Sequence, residues 1–551
     1  MAPVVALSPG ARLGWALAYA LATLMCFPQL LAGRVVDFGW GLAWLSPALL
    51  ILAIRGLAPA AAARWAFGAS LVAHAGVLHW IYVVSVEYGH AHPVVGVLAP
   101  VLLASYVAGF TAAFAALFAW WSERGLGSPP AAAVAWTALD YLRSFLFTGF
   151  PWATLGYAQH QNAALMELAA WTGVYGLCFV SVLGGAALAS LYRCWREPEA
   201  SERAAAGSRA ARSRLGVALA SLAAVALVLL VGAVSARRPE APGSERVRVG
   251  VIQGSIEQGV KWSPDWREQS LARYEALSRQ AAAEGARLLV WPETAVPGAL
   301  ERDASLRARL LRLARELDVA LVVGGVGVSP ELEHSGLRYY DSAFVVEPQG
   351  ELGERYDKTH LVPFGEYLPF RALLGGFLGA LARGIAPDDV SAGAAPRSVE
   401  VPLADGSRIR VGIPICYELL FPDLVRRFAN SGASLLLAVT NDAWYGRTGA
   451  PYQFLAITAL RAAETRLATA RAANTGVSAF IDARGRVREP TPIFEPTYRV
   501  SDMRVRGSQR SSSFYARHGD VFVQVCWLVV ALWAARAWRA GMSDAPVPSP
   551  P

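Results

Sequence analysis

Charge is scarce in this sequence: Asp, Glu, Lys and Arg make up 17% of the 551 residues, against 54% hydrophobic. That balance excludes an ordinary soluble enzyme, and the length excludes a single domain. Lysine is nearly absent, since only Lys261 and Lys358 among 50 basic residues are not arginine. The net charge is +8, but a cluster of arginines sits in a loop between apolar runs. The basic excess therefore belongs to membrane orientation, and no nucleic-acid partner is expected. Cysteine is scarce as well, with five residues. His74, His79 and the stretch 88–92 show no metal-ligand spacing, so no metal is expected, and no cofactor either. No internal repeat and no long low-complexity segment is present, which excludes a repeat architecture.

What the chain does have is long runs without charge: Leu13–Gly33, Phe38–Ile54, Trp65–Val86, Tyr88–Ser122, Leu168–Tyr192 and Leu215–Ser235. A bilayer core takes about 20 apolar residues as helix. Two weaker runs join them. Pro130 to about Tyr157 is interrupted by Asp140 and Arg143, which lie at i,i+3 and are expected to pair with each other. Val521 to about Gly541 carries Arg536 and Arg539 near its end. The expectation is eight spans, with the first retained rather than cleaved as a signal peptide. The loop after the sixth span carries Arg193, Arg196, Arg203, Arg209, Arg212 and Arg214 against three glutamates. By the positive-inside rule it is cytoplasmic, which puts residues 236–519 on the far side and both termini in the cytoplasm.

Residues 236–245 form a Pro- and charge-rich linker, after which the pattern changes. Short strands are expected at 247–253, 287–293 and 319–328, with helices at 267–284 and 303–317. A hairpin turns at Gln349-Gly350. "RIRVGIPICYE" and "SLLLAVTND" read as further strands, 452–470 as a helix, and a last hairpin turns at Arg484-Gly485. This is a layered α/β domain of about 260 residues. Within it, 361–395 is apolar and glycine-rich, and too broken to span. It reads either as a surface loop on its own domain or as a lid at the membrane surface.

Cys416 is the only cysteine in the far-side region, because Cys26, Cys178 and Cys526 fall in spans and Cys194 at a cytoplasmic end. A disulfide would need a partner there, so that reading fails by counting. An inert core cysteine and a nucleophile remain. A thiol with a pKa of about 8.5 needs a base or a nearby cation to react. Glu293 ends "LLVWPE" and Lys358 follows the first hairpin, so either could converge on Cys416 at one sheet edge.

The motifs "WPET", "DKTHLVPFGEY" and "CYE" resemble the Glu-Lys-Cys set of the nitrilase superfamily of carbon–nitrogen hydrolases. The fusion to seven preceding spans and one following span is similar to its membrane-embedded family, the apolipoprotein N-acyltransferases. "TGFPW" (148–152) with Tyr157, "QGSIEQGVKW" (253–262) and "NDAWYG" (441–446) resemble that family too. The resemblance implies a polytopic α-helical bundle of eight spans plus an αββα nitrilase-like sandwich. The divisions would be 1–235 transmembrane, 236–245 linker, 246–510 catalytic, 511–541 transmembrane and 542–551 tail. It implies that Cys416 is acylated as a thioester, that Glu293 is the general base and that Lys358 stabilises the oxyanion. Glu366, Tyr417 and Glu418 take supporting positions, and Trp262 and Trp444 aromatic positions for substrate. Asp341 stands where the resemblance implies asparagine; lying outside the triad, it is not expected to matter for the chemistry. The implied donor is a phospholipid, typically phosphatidylethanolamine. The acceptor is the α-amino group of a diacylglyceryl-cysteine lipoprotein, at a bacterial inner membrane with the catalytic domain periplasmic. Nothing demands a protein partner, so a monomer is expected. Two alternatives stay open: a membrane-anchored amidase with water as acceptor, and a transporter or receptor whose far-side domain only binds ligand.

Overall fold

The computed structural model describes residues 7–196, 208–238, 245–258, 264–330, 336–367, 390–507 and 512–543. They fall into two compact units. One is drawn from 1–79, 98–237 and 520–551, the other from 80–97 and 238–519.

The first unit is helical: α1 (Pro9–Met25), α2 (Gly39–Ile54), α3 (Pro59–Val77), most of α4 (Pro93–Glu123), α5 (Pro129–Arg143), α6 (Ala163–Thr172), α7 (Val174–Arg196), α8 (Ser208–Arg237) and a last helix, Val521–Ser543. Four helices among the described residues are long and apolar enough to cross a membrane: α4, α7, Ser213–Arg237 and Val521–Arg539, with mean hydropathy from 1.7 to 2.8. A fifth counts if α3 and the segment Trp80–Tyr88, which follow one another across a break, are one span. The remaining expected spans form shorter helices, of 15 to 17 residues. The run from Leu13 gives a 17-residue helix and then a hairpin of β1 (Gln29–Leu31) and β2 (Arg34–Val36). The run from Phe38 is a 16-residue helix.

The run from Pro130 stops as helix at Arg143, whose side chain organises the loop beyond it. Arg143 is 1% exposed. It donates to Asp140 Oδ1 (3.1 Å), Thr154 Oγ1 (3.0 Å) and the carbonyls of Phe150 (3.1 Å) and Trp152 (2.6 Å). The charge thus pairs with Asp140 and folds residues 150–154 around itself, satisfying donors that would be costly unpaired in an apolar setting. α7 crosses α2 closely through Gly184 and Gly185. A Cβ on Gly185 would lie 2.5 Å from the Trp44 carbonyl oxygen, so only glycine admits this approach.

The second unit holds two six-stranded sheets. One has the order β14-β3-β4-β5-β6-β7, the other β13-β12-β11-β10-β9-β8. The first uses β3 (Arg246–Gln253), β4 (Leu288–Val290), β5 (Ala320–Pro330), β6 (Leu337–Val346), β7 (Leu352–Asp357) and β14 (Thr497–Arg504). The second uses β8 (Val399–Pro402), β9 (Arg408–Gly412), β10 (Leu435–Thr440), β11 (Thr469–Ala473), β12 (Ala479–Ile481) and β13 (Val487–Arg488). The central neighbours β3-β4-β5 and β9-β10-β11 are parallel and the outer pairs antiparallel. β4, β10 and β11 are buried along their whole length. That is what near-continuous apolar runs produce in a parallel core covered on both faces.

Helices α9 (Pro264–Ala283) and α10 (Ala304–Leu317) close one face of the first sheet, with Leu271, Tyr274, Leu306, Leu310 and Leu313 packed on Ile252, Leu289, Trp291 and Leu321. Each such side chain, fully buried, contributes roughly 1.5–3 kcal/mol. α11 (Pro422–Asn430) packs on β9, and α12 (Ala450–Thr465) packs against α11. β3 meets β11 between the sheets, so the layers run helix, sheet, sheet, helix. Trp262, most of the apolar insertion (368–389) and linker residues 239–244 lie outside the described residues.

Candidate active site

Glu293, Lys358 and Cys416 each stand just past the end of a strand. β4 ends at Val290 and the chain bends through Trp291-Pro292. Trp291 is fully buried, stacked on Tyr274 at 4.9 Å and donating its indole N–H to Ser278 Oγ at 2.9 Å. Gly324 of β5 lets this bend lie flat on the sheet: a Cβ there would be 2.3 Å from the Pro292 carbonyl oxygen and 2.7 Å from Glu293 Cα. Lys358 extends β7, its N–H bonded to the Asp341 carbonyl at 2.9 Å.

Beyond β9, Ile415 bridges to Val439, and at Cys416 the chain turns into a 3₁₀ segment, Cys416–Leu420. Cys416 has φ +46°, a left-handed conformation that costs a non-glycine residue about 1–2 kcal/mol. Glu418 holds the turn. Its carboxylate accepts from the Ile415 N–H (2.8 Å), the Thr359 N–H and hydroxyl (2.7 Å each) and the Tyr356 hydroxyl (2.7 Å). Tyr356 and Thr359 flank Lys358, so one carboxylate ties the cysteine turn to the lysine strand. Burial pushes the Glu418 carboxyl up, against the pull of those four donors.

Lys358 Nζ is fully buried and donates to three carboxyls: Glu293 Oε1 at 3.1 Å, Asp341 Oδ2 at 3.1 Å and Glu366 Oε1 at 2.5 Å. Glu293 Oε2 accepts the Asn441 N–H at 2.7 Å, and Glu366 Oε2 the Val362 N–H at 2.9 Å. The three carboxyls offer oxygens within 4.8 Å of one another, a clustering that suits a cation; Lys358 is that cation. Two ionised carboxylates at such a separation repel by roughly 3–4 kcal/mol at an effective dielectric of about 20.

Burial would lower the ammonium's pKa, but the charges of Glu293, Glu366 and Asp341 outweigh it and hold the group well above the ordinary lysine value. Burial would raise Glu293, and Lys358 with its hydrogen bonds brings it below the usual carboxylate range. Asp341 goes the other way, raised well above by burial. Cys416 is 7% exposed. Its thiol is raised by burial and by the Glu293 charge, so it rests as S–H beside Glu293.

Tyr417 packs with His360 and Phe421, ring centroids 5.7 and 5.3 Å away. His360 is pushed down to about 4 by burial and the Lys358 charge. Trp444 is 37% exposed, on the short turn Asp442–Tyr445 with its ring edge-on to Tyr88 at 5.7 Å. The neighbouring Tyr445 meets Trp80 at 4.8 Å. Residues 80–97, counted in the sequence with the spans, belong to the second unit and pack on this turn.

Two family models match the chain: Apolipoprotein N-acyltransferase N-terminal domain over residues 12–187, and Carbon-nitrogen hydrolase over 248–504. The apolipoprotein N-acyltransferase of Geobacter metallireducens is 40% identical over 503 residues, 90% of this chain and 91% of its own. The chain belongs to the apolipoprotein N-acyltransferase family, within the nitrilase superfamily. The family members of Azotobacter vinelandii and Brucella suis are each 35% identical. The first covers 83% of both chains, the second 79% of this chain and 78% of its own. With its long apolar helices, this acyltransferase-family chain is a membrane protein.

Asp341, outside the triad in the sequence, touches Lys358 directly through its carboxyl. Two further contributors are not apparent as site residues in the sequence: the Asn441 backbone amide on Glu293, and Asn474, whose Nδ2 donates to Asn441 Oδ1 at 3.0 Å. The motif "NDAWYG" was the available signal for Asn441. No comparable signal marked Asn474.

Proposed function

We propose that the enzyme transfers an acyl chain from a membrane phospholipid to the amino terminus of a diacylglyceryl-cysteine lipoprotein, through a thioester on Cys416. The observation that carries this reading is the convergence of Glu293 and Lys358 beside a lone, strained, buried cysteine in a chain of this family. The thiol rests protonated, so Glu293 takes the Sγ proton as sulfur attacks the ester carbonyl. The carbonyl electrons move to oxygen, whose charge meets the Lys358 ammonium. Collapse breaks the ester C–O bond, and Glu293 returns the proton to the departing lysophospholipid hydroxyl. In the second half-reaction the neutral α-amine attacks the thioester and Glu293 accepts its proton. The C–S bond then breaks and the thiol is restored.

Glu366 and Glu418 position Lys358 and the cysteine turn, Tyr417 packs beside the nucleophile, and Trp444 and Trp262 engage substrate. The charge-free runs and the arginine-rich loop after the sixth run support an eight-span inner-membrane protein with a periplasmic catalytic domain and cytoplasmic termini. All three reacting groups come from one chain, which supports a monomer. The resemblance supports phosphatidylethanolamine as donor. An amidase with water as acceptor is not favoured, because relatives matched over most of their length are named N-acyltransferases.

The test is mass spectrometry of purified protein mixed with phospholipid, followed by a diacylated lipopeptide. An acyl adduct on Cys416 that disappears as the lipopeptide gains the chain is expected. Transfer that survives Cys416→Ala would overturn the reading.

A further inference from the structure

Three carboxyls and one ammonium share a buried space beside Cys416. Glu293 comes from the end of β4, Asp341 from β6 and Glu366 from the turn after Lys358. Of the other acids nearby, Asp442 is engaged by Arg471 at 2.7 Å and Glu418 by its four donors. Hydrogen-bond donors are unevenly shared among the three. Glu366 has Lys358 and the Val362 N–H, and Glu293 has Lys358 and the Asn441 N–H. Asp341 has Lys358 on Oδ2, while its Oδ1 is buried with no hydrogen-bond partner among the described residues. Asp341 is 8% exposed. Of three crowded acids, the one with fewest donors is the one whose ionisation costs most. One of its oxygens lies within 4.8 Å of an oxygen of Glu293. With both ionised that approach is a repulsion; one proton between them relieves it.

We propose that Asp341 is a positioning residue: it keeps its proton in the resting enzyme and donates it in a hydrogen bond to Glu293, leaving Glu293 as the ionised base facing Cys416. The proton on Sγ then has one destination. The site gains a thiolate without also holding a carboxylate charge on Asp341. Ionisation of Asp341 at alkaline pH adds that charge beside the thiolate and the developing oxyanion and slows acylation. Asparagine, neutral at every pH and able to accept from Lys358 while donating to Glu293, preserves the arrangement.

Two measurements on the full-length, detergent-solubilised protein test this. Difference infrared spectroscopy of wild type against Asp341→Asn at neutral pH is expected to show the carbonyl stretch of a buried protonated carboxyl that the variant lacks. The second measurement, which rests on the acyl-transfer reading, tracks Cys416 acylation by phospholipid against pH. Wild type is expected to fall about tenfold per pH unit on its alkaline limb, while Asp341→Asn stays within about threefold of its neutral rate. Asp341→Ala, which offers Lys358 no acceptor and Glu293 no donor at this position, is expected to be slow throughout. A missing infrared difference, superimposable pH profiles, or an Asp341→Asn variant about 100-fold slower at neutral pH would each overturn the proposal. An infrared difference without any acylation of Cys416 would sink the acyl-transfer reading and leave the proton on Asp341 in place.

Discussion

Glu418 accepts four hydrogen bonds, three from the segment around Lys358 and one from the residue before Cys416. Glu418→Ala strands those buried donors, at roughly 1–3 kcal/mol each where no other acceptor is found. The expected outcome is a lower melting temperature and Cys416 acylation down about 100-fold, with Glu418→Gln falling between. Acylation unchanged in the alanine variant would remove Glu418 from the machinery. Asp341 has a stability consequence of its own. Burial raises its pKa, so the native state keeps a proton that the unfolded chain releases near pH 3.9, its ordinary value. The stabilising contribution is therefore complete below about pH 4 and declines as pH rises towards the native-state pKa. Asp341→Asn removes that slope: it is expected to melt above wild type at about pH 7, with the gain shrinking at about pH 4. Equal melting curves at both pH values would contradict it. Cys416, Glu293, Lys358, Glu366 and Glu418 were legible as residues because each belongs to a short motif. What Asp341 touches was not, since contact with Lys358 depends on the pairing of β6 with β7, and no spacing along the chain reports that.

At the scale of elements, Glu293 is aimed by the packing of the "WPE" bend on β5. Gly324→Ala places a methyl against the Pro292 carbonyl and Glu293 Cα, and overpacking of this kind costs roughly 1–3 kcal/mol. The variant is expected to express but to acylate Cys416 at least about tenfold more slowly. Gly325→Ala is the control, because its added Cβ meets nothing closer than 3.5 Å; equal rates in the two variants would refute the argument. The strands from 247 to 328, the hairpins at Gly350 and Gly485 and the helices at 264–283 and 304–317 obey patterns that a sequence displays openly: apolar runs, amphipathic spacing and glycine turns with positive φ. β8 went unread because four residues are too few to show a period, and β14 because its burial barely alternates. Residues 80–97 went unread for a different reason. Hydropathy is the same whether Trp80 and Val83 face lipid or the aromatic turn at 442–446, so composition could not separate them from the spans around them.

For the molecule as a whole, the contrast between charge-free runs and an α/β pattern after residue 246 made two units legible from composition alone. Orientation is a separate matter, carried by one segment. Arg193, Arg196, Arg203, Arg209, Arg212 and Arg214 face only three glutamates, and moving such a loop across a bilayer opposes both the positive-inside bias and the membrane potential. Alkaline phosphatase, which is active only once exported, is therefore expected to be inactive when fused after residue 205 and active when fused after residue 243. If the orientation is set by those arginines, replacing four of the six with glutamine weakens the contrast between the two fusions, while the same number of changes among the surface arginines of α10 leaves it intact. The reverse pattern of activity would place Cys416 in the cytoplasm, where thiol-reducing chemistry and a different lipid leaflet would meet it.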